Sequence, residues 1–460
     1  MFEPPTIDIE AISSIHLIGV GGSGMSALAK LLAQRGVRVS GSDLKPTAVI
    51  DALGGIGVET WIGHRPERMA SVDVVVASSA VPESDPELGA ARRAGIPTAR
   101  RPALLRGVTR AMETVGFSGT HGKTSSTAMA VVALRAAGRD PSFIVGGEIA
   151  DLNTGAHLGD ADLLLLEADE AFGTFRHLDL RGLGVTNIEA DHLDHYGTVT
   201  ALEEAFAQVA NRTTGPVVGC VDDPGVRRLA ERAAVIGYGT GADAVWRITD
   251  VELGAASAFT LSGPRRSRRV RVPQPGMHVV RNAAGVLALL GELGVDLERA
   301  IDGLAEFGGV RRRFETKARV GGVTIIDDYA HHPTEVASTI AAARSMTPGK
   351  LWVVFQPHRY TRTANLAPLF GAPLADADRV IVTDVYSAGE RPQPGISGRL
   401  VAEAVRASGG EVTYVERLGA VRSHLCGALG EGDTVVLMGA GDVASIWADV
   451  AECVGELRDA

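Results

Sequence analysis

Cysteine, aromatic side chains, cationic excess and long apolar runs are all scarce in this sequence, and each scarcity excludes a class of protein. The chain has 3 cysteines, Cys220, Cys426 and Cys453, far apart and without CxxC spacing. That spacing indicates neither a disulfide framework nor a zinc site, so the three read as ordinary core or surface residues. No stretch approaches the roughly 18 apolar residues of a membrane span, and no charged start leads into an apolar run. A cytoplasmic protein with no membrane partner is expected. The net charge is −10, whereas nonspecific nucleic-acid binding needs cations that displace counterions from phosphates, so no nucleic-acid partner is expected. The one basic run, Arg265-Arg266-Ser267-Arg268-Arg269, lies between the alternating stretches Ala258–Leu261 and Val270–Val272 and reads as a solvated hairpin tip.

What is present points to an α/β protein. Apolar residues make up 45% of the chain against 5% aromatics, and 56 glycines accompany many Ala, Val and Leu. That balance suits parallel sheets covered by small-residue helices. The 460 residues exceed what one core usually serves, so two or three domains are expected. Three sets of strand-then-glycine punctuation divide the chain into a Rossmann-like amino-terminal domain (1–108), a central P-loop ATPase-type α/β domain (109–316) and a Rossmann-like carboxy-terminal domain (317–460).

The first set is Ile15-His-Leu-Ile-Gly19-Val-Gly21-Gly22-Ser23-Gly24, followed by Met25, Leu28, Ala29 and Leu32 at helical spacing. Gly19, Gly21 and Gly24, with Asp43 after the next expected strand, fit a dinucleotide fingerprint. The same geometry serves NAD, FAD or a UDP-sugar, and a purely structural turn has the same pattern. The second set, Ser118-Gly119-Thr120-His121-Gly122-Lys123-Thr124-Ser125, holds a phosphate-binding core. Its backbone amides approach phosphates, Lys123 neutralises them, and the Thr124 hydroxyl can ligate magnesium. Phe117 stands where the general GxxxxGK[ST] pattern has glycine. With two phosphate loops, ATP falls to the Lys-bearing one and a diphosphate-linked substrate to the other.

Downstream, Leu163–Leu166 ends in Glu167, Asp169 and Glu170, and Val185 leads to Asn187, Glu189, Asp191, His192, Asp194 and His195. Carboxylates at a strand end beside a phosphate loop supply the oxygen ligands a metal between protein and nucleotide needs. Arg312-Arg313 sits at the second boundary, where a cation can meet a transferring phosphoryl group, although a surface charge cluster has the same appearance. Asp328-Tyr329-Ala-His331-His332, His358-Arg359-Tyr-Thr-Arg362 and Asp384-Val-Tyr386 follow strands. Successive polar clusters at strand ends argue for one cleft.

Taken in order, Gly19-Val-Gly-Gly-Ser-Gly-Met-Ser, Gly119-Thr-His-Gly-Lys-Thr, Glu167-Ala-Asp-Glu, Asn187-Ile-Glu-Ala-Asp-His, Arg312-Arg-Phe-Glu, Asp328-Tyr-Ala-His-His-Pro-Thr-Glu and His358-Arg-Tyr-Thr-Arg resemble the motifs of the Mur ligase family over essentially the whole chain. The resemblance implies a UDP-sugar-binding first domain, a central ATPase domain and a third domain that closes over the site. It further implies ATP and Mg2+, with UDP-N-acetylmuramate and L-alanine as substrates of an amide ligation through an acyl phosphate. Lys123, His192 and Arg313 are then catalytic, and Thr124, Glu167 and His192 bind metal. Gly119–Ser125, Asn282, Arg313 and Asp328 bind the nucleotide. Gly21, Gly22, Ser23, Gly24 and Asp43 lie at the UDP-sugar, while His331, His358, Arg359 and Arg362 lie near the substrate carboxylate or the incoming alanine. A monomer or homodimer is expected. Two positions depart from the family: Ala171-Phe172 replaces Ser-Asp, and Val279 replaces the Asn of a His-Asn pair. A tripeptide-adding ligase on the same sugar, a catalytically inactive UDP-sugar sensor and an NAD-dependent dehydrogenase remain the alternatives.

Overall fold

The computed structural model describes residues 7–264 and 266–459; Arg265 and the side chains of Asp194 and of residues 456–459 lie outside the described residues. The architecture is α/β with three sheets. The first has strand order Glu59–Ile62, Arg38–Asp43, Ser14–Ile18, Val74–Ala77, Thr98–Arg100, all parallel. Every residue of Ser14–Ile18 and Val74–Ala77 is buried, as expected of strands covered on both faces. A buried carboxylate stitches this sheet. Glu87 accepts from Trp61 Nε1 at 2.9 Å, the Arg65 amide at 2.8 Å and Ser42 Oγ, and lies 3.4 Å from His16 Nε2. Burial opposes its ionisation, but the bonds from His16, Arg65 and Ser42 win and hold its pKa at about 2.

The second sheet has ten strands and is parallel from Ala161–Glu167 through Glu113–Ser118, Gly182–Val185, Val217–Cys220 and Ile236–Gly239 to Trp246–Glu252. Pro141–Ile149 joins the other side in parallel, and Thr154–His157 closes that edge antiparallel. The expected hairpin is present as Ser257–Ser262 and Ser267–Val272, with the Gly263 amide on the Arg266 carbonyl at 2.9 Å. Helix Ser23–Gln34 of the first sheet docks on the Pro141–His157 hairpin: Lys30 Nζ donates to Thr154 Oγ1 at 2.6 Å, and Gln34 Oε1 accepts from the Leu158 amide at 2.9 Å.

The third sheet runs Glu315–Val320, Val323–Asp328, Thr434–Met438, Leu351–Phe355, Arg379–Val382, Val412–Tyr414. It is parallel except at its first strand, which pairs antiparallel with the second. The antiparallel edge was not anticipated. Its cause is Gly321-Gly322, with φ of +54° and +72°, which supplies the positive dihedrals a two-residue hairpin turn needs. The contacts divide the chain into two compact units, Met1–Thr249 with Thr260–Val270 and Arg281–Phe307, and Asp250–Phe259 with Arg271–Val280 and Gly308–Ala460.

One expectation is overturned. Cys426 and Cys453 form a disulfide, with Cα atoms 5.7 Å apart, between the end of helix Val421–Leu425 and the last helix, Trp447–Asp459; Cys220 is free and buried. The two half-cystines meet because those helices pack together, which linear spacing does not report. Among the described residues, no helix is long and apolar enough to cross a membrane.

Candidate active site

Strand Glu113–Ser118 runs into the second glycine loop, and helix Lys123–Ala136 leaves it. Gly122, at φ +84°, caps that helix with no side chain on its first amides, leaving backbone donors at the positive end of a 14-residue helix. The loop is braced from the next strand end. Asn187 Oδ1 accepts from the His121 amide at 2.9 Å, its carbonyl accepts from the Thr120 amide at 3.1 Å, and its amide group donates to the His121 carbonyl at 3.1 Å. Asn282 is 6% exposed and packs on the loop, since a Cβ on Gly122 would stand 2.7 Å from its Oδ1.

Lys123 is held by carboxylates. Its Nζ donates to both oxygens of Glu170, at 2.9 and 2.8 Å, and lies 3.5 Å from Asp169. The Glu170 side chain is 1% exposed, and the Tyr196 hydroxyl donates to its backbone carbonyl at 2.6 Å. Burial works against the Lys123 charge, but Glu170, Asp169 and Glu167 outweigh it and raise its pKa, so the ammonium persists at any neutral pH. Three carboxylates around one ammonium leave a net negative charge at the strand end. A divalent cation with phosphate oxygens would balance it, so these residues fit Mg2+ beside a nucleotide. Thr124 is buried on the first turn of the helix, and Glu167 accepts from the Gly146 amide at 2.5 Å. His192, at φ +54°, brings Nε2 to 3.8 Å from Glu170 and 3.7 Å from Asp191. The metal candidates therefore gather around the Lys123–Glu170 pair, a pairing that the sequence motif did not expose.

In the first sheet, the Gly21 amide donates to Asp43 Oδ2 at 2.9 Å, and Asp43 Oδ1 accepts from Leu44 at 2.7 Å and Lys45 at 3.3 Å. Asp43 thus shapes the glycine turn with its own carboxylate. Helix Ser23–Gln34 begins after Gly22 with no side-chain cap and no acid in its first turn.

The third sheet carries its own cluster. Asp328 accepts from Ala330 at 2.7 Å and Phe314 at 2.8 Å; burial pushes its pKa up to about 6 against those bonds and the nearby Arg313. Arg313 lies over Tyr329 at 4.8 Å and 4.0 Å from Glu335, whose carboxylate also accepts the His331 and His332 amides. Arg312 does different work, donating to the carbonyls of Gly439 at 2.9 Å and Gly441 at 3.1 Å. His331 Nδ1 donates to the Tyr329 carbonyl at 2.9 Å, and its ring faces His358 at 5.9 Å. His358 stacks on Tyr386 and receives Arg362 Nη1 at 3.4 Å on Nδ1, while Arg359 Nε lies 3.8 Å from Glu390. Tyr329, Glu335, Tyr386 and Glu390 are thus part of the cluster, although only the strand-end loops that hold them stood out in sequence.

Burial, with the neighbouring Arg362 cation, lowers both His331 and His358 to about 4. The folded values lie below the unfolded one of about 6.5, so their contribution to stability is complete above that pH and is lost as the pH falls through about 4. Denaturant unfolding across this range should show a shallower acid-side loss in a His331→Asn, His358→Asn double variant than in the wild type. Parallel curves would mean that the two rings titrate normally.

The departures have structural counterparts. Val279 is 3% exposed, so an apolar side chain is buried there. Phe172 is 64% exposed at φ +54°, its ring edge-on to His195 at 6.2 Å. A left-handed backbone is unusual for an aromatic residue and is tolerated more easily by Asp or Asn.

The Mur ligase catalytic domain model matches residues 14–112, the Mur ligase middle domain 117–290, and the Mur ligase glutamate ligase domain 312–441. The chain is 44% identical to a UDP-N-acetylmuramate–L-alanine ligase of Mycolicibacterium vanbaalenii, covering 95% of this chain and 96% of that one. It is 41% identical to the ligase of the same name from Kineococcus radiotolerans, covering 97% and 98%. Among solved structures, UDP-N-acetylmuramate-alanine ligase from Thermotoga maritima superposes with a TM-score of 0.81 at 28% identity over 95% of this chain and 98% of that one. A murein peptide ligase from Psychrobacter arcticus, at 23% identity and a TM-score of 0.68 over 96% and 99%, shares the fold. With three α/β sheets, a lysine-bearing phosphate loop and relatives above 40% identity along nearly its whole length, the chain belongs to the Mur ligase family.

Proposed function

We propose that this protein joins L-alanine to the lactyl carboxylate of UDP-N-acetylmuramate in peptidoglycan precursor synthesis, with ATP cleaved to ADP and phosphate. The observation that carries the reading is the buried Lys123–Glu170 pair at the mouth of the phosphate loop, in a chain whose curated relatives bear that activity in their names. In this reading the carboxylate takes the γ-phosphoryl group and the amine of alanine then displaces phosphate. Thr124, Glu167 and His192 would hold Mg2+, which would supply Lewis-acid neutralisation of the phosphoryl oxygens.

Lys123 and Arg313 put cationic charge where phosphoryl oxygens gather negative charge, and the amides of Gly119–Ser125 orient the phosphates. Asn282 and Asp328 bind the nucleotide. Gly21, Gly22, Ser23 and Gly24 receive the UDP-sugar, with Asp43 holding their turn. Neutral His331 and His358, with Arg359 and Arg362, form a site for a small zwitterion: guanidinium groups for its carboxylate, and His331 Nε2, the accepting nitrogen of a ring whose Nδ1 donates, for its amine. The domains run 1–108, 109–316 and 317–460, and the working form is a cytoplasmic monomer or homodimer.

Phosphate release from Mg-ATP and UDP-N-acetylmuramate, with glycine, L-alanine, L-serine or the tripeptide supplied in turn, tests the reading. Release that needs both the sugar and L-alanine is expected. Release with the tripeptide alone would assign a recycling ligase, and none with any acceptor despite sugar binding would assign a sensor.

A further inference from the structure

Two arginines open helix Arg101–Ala111 after the last strand of the first sheet, and their surroundings differ. Arg100 is used by the fold: its guanidinium donates to the carbonyls of Ser78 at 3.1 Å and Val81 at 2.6 Å and pairs with Glu83. The Arg101 guanidinium lies over the glycine turn instead. A Cβ on Gly24 would stand 2.6 Å from its central carbon and 2.7 Å from Nη2. Among the described residues no carboxylate or carbonyl accepts from it, and its buried Nε has no hydrogen-bond partner.

A buried guanidinium nitrogen without an acceptor is costly, and the location adds to the cost. Arg101 stands at the amino-terminal end of its own helix, where a cation opposes the dipole. It also covers the amino-terminal end of helix Ser23–Gln34, which has neither a side-chain cap nor an acid in its first turn. Asp43, the carboxylate at the turn, is engaged by the amides of Gly21, Leu44 and Lys45. Among the described residues, two helix ends, the first amides after Gly22 and a guanidinium without an acceptor therefore converge, while the Asp43 carboxylate is taken up by the turn's own amides. A diphosphate supplies that charge and the acceptors, and the planar guanidinium fork matches phosphate oxygens.

We infer that Arg101 is a substrate-binding residue that grips the diphosphate of the UDP-sugar from above the Gly21–Gly24 turn. The inference rests on the reading that this turn receives the UDP-sugar. It also explains why Gly24 has no side chain, since a Cβ would displace the guanidinium.

Isothermal titration of the full chain with UDP-N-acetylmuramate, UDP and uridine, alongside steady-state kinetics, tests it. Arg101→Met should weaken UDP-N-acetylmuramate and UDP about 10- to 100-fold, the loss expected for charge-assisted bonds. Uridine binding, the KM for ATP and kcat at saturating sugar should stay within about twofold, a selectivity that a merely structural role would not produce. Arg101→Lys, which keeps the charge without the fork, should retain an intermediate affinity and serves where the methionine variant is unstable. Unchanged UDP affinity in either variant, or equal losses for UDP and uridine, would overturn the inference while leaving wild-type sugar binding intact. Failure of the wild type to bind UDP-N-acetylmuramate or UDP would overturn the reading of the turn and the inference with it.

Discussion

Lys123→Ala should lower ligation turnover about 1000-fold, the scale of removing a preorganised charge from a transition state, while UDP-N-acetylmuramate affinity changes less than about threefold. The separation follows from position. Lys123 bonds to Glu170 and to the Gly119 and Thr120 carbonyls within the second sheet's loop, whereas the glycine turn at Gly21–Gly24 belongs to the first sheet and, among the described residues, shares no hydrogen-bond partner with it. Substitutions without shared partners act nearly independently. Phosphate release measured beside calorimetric sugar binding checks this, and a parallel loss of both would refute the assignment of separate sites.

The second large effect is on stability. Glu170→Ala leaves the Lys123 ammonium, 13% exposed, without its bidentate partner, and breaking a buried pair by removing one member costs about 3–5 kcal/mol. Asp169, 3.5 Å away, places the expected loss at the lower end of that range. Replacing both by Glu170→Gln and Lys123→Met should cost less than the sum of the single changes, because no unpaired charge remains. Urea unfolding of the wild type, Glu170→Gln, Lys123→Met and the double variant measures this coupling. Strictly additive losses would show that the 2.8 and 2.9 Å contacts contribute little.

What was legible in the sequence was local. Gly19, Gly21 and Gly24 after an apolar strand, and Gly122-Lys123-Thr124 after another, encode their turns within a few residues, and the structure builds both turns at strand ends. Strand Thr434–Met438 was equally plain from its apolar run, yet its place between Val323–Asp328 and Leu351–Phe355 depends on pairing across more than 80 residues. Glu170 was visible as one of three carboxylates, but its choice as the Lys123 partner depends on how the strand ending at Glu167 sits beside the strand ending at Ser118. The division of labour between Arg312 and Arg313 was hidden for a similar reason. The carbonyls that engage Arg312 belong to Gly439 and Gly441, more than a hundred residues on. Cys426 and Cys453 meet only through helix packing. Arg101, whose Nε has no hydrogen-bond partner among the described residues, follows an Arg of identical chemistry, and only three-dimensional bonding separates the two.

The most direct test of the account follows oxygen. UDP-N-acetylmuramate labelled with 18O in its lactyl carboxylate is incubated with the protein, Mg-ATP and L-alanine, and the released phosphate is examined by mass spectrometry. Activation of the carboxylate by phosphoryl transfer predicts one 18O in each phosphate and one remaining in the new amide carbonyl. Unlabelled phosphate accompanying amide formation would contradict it.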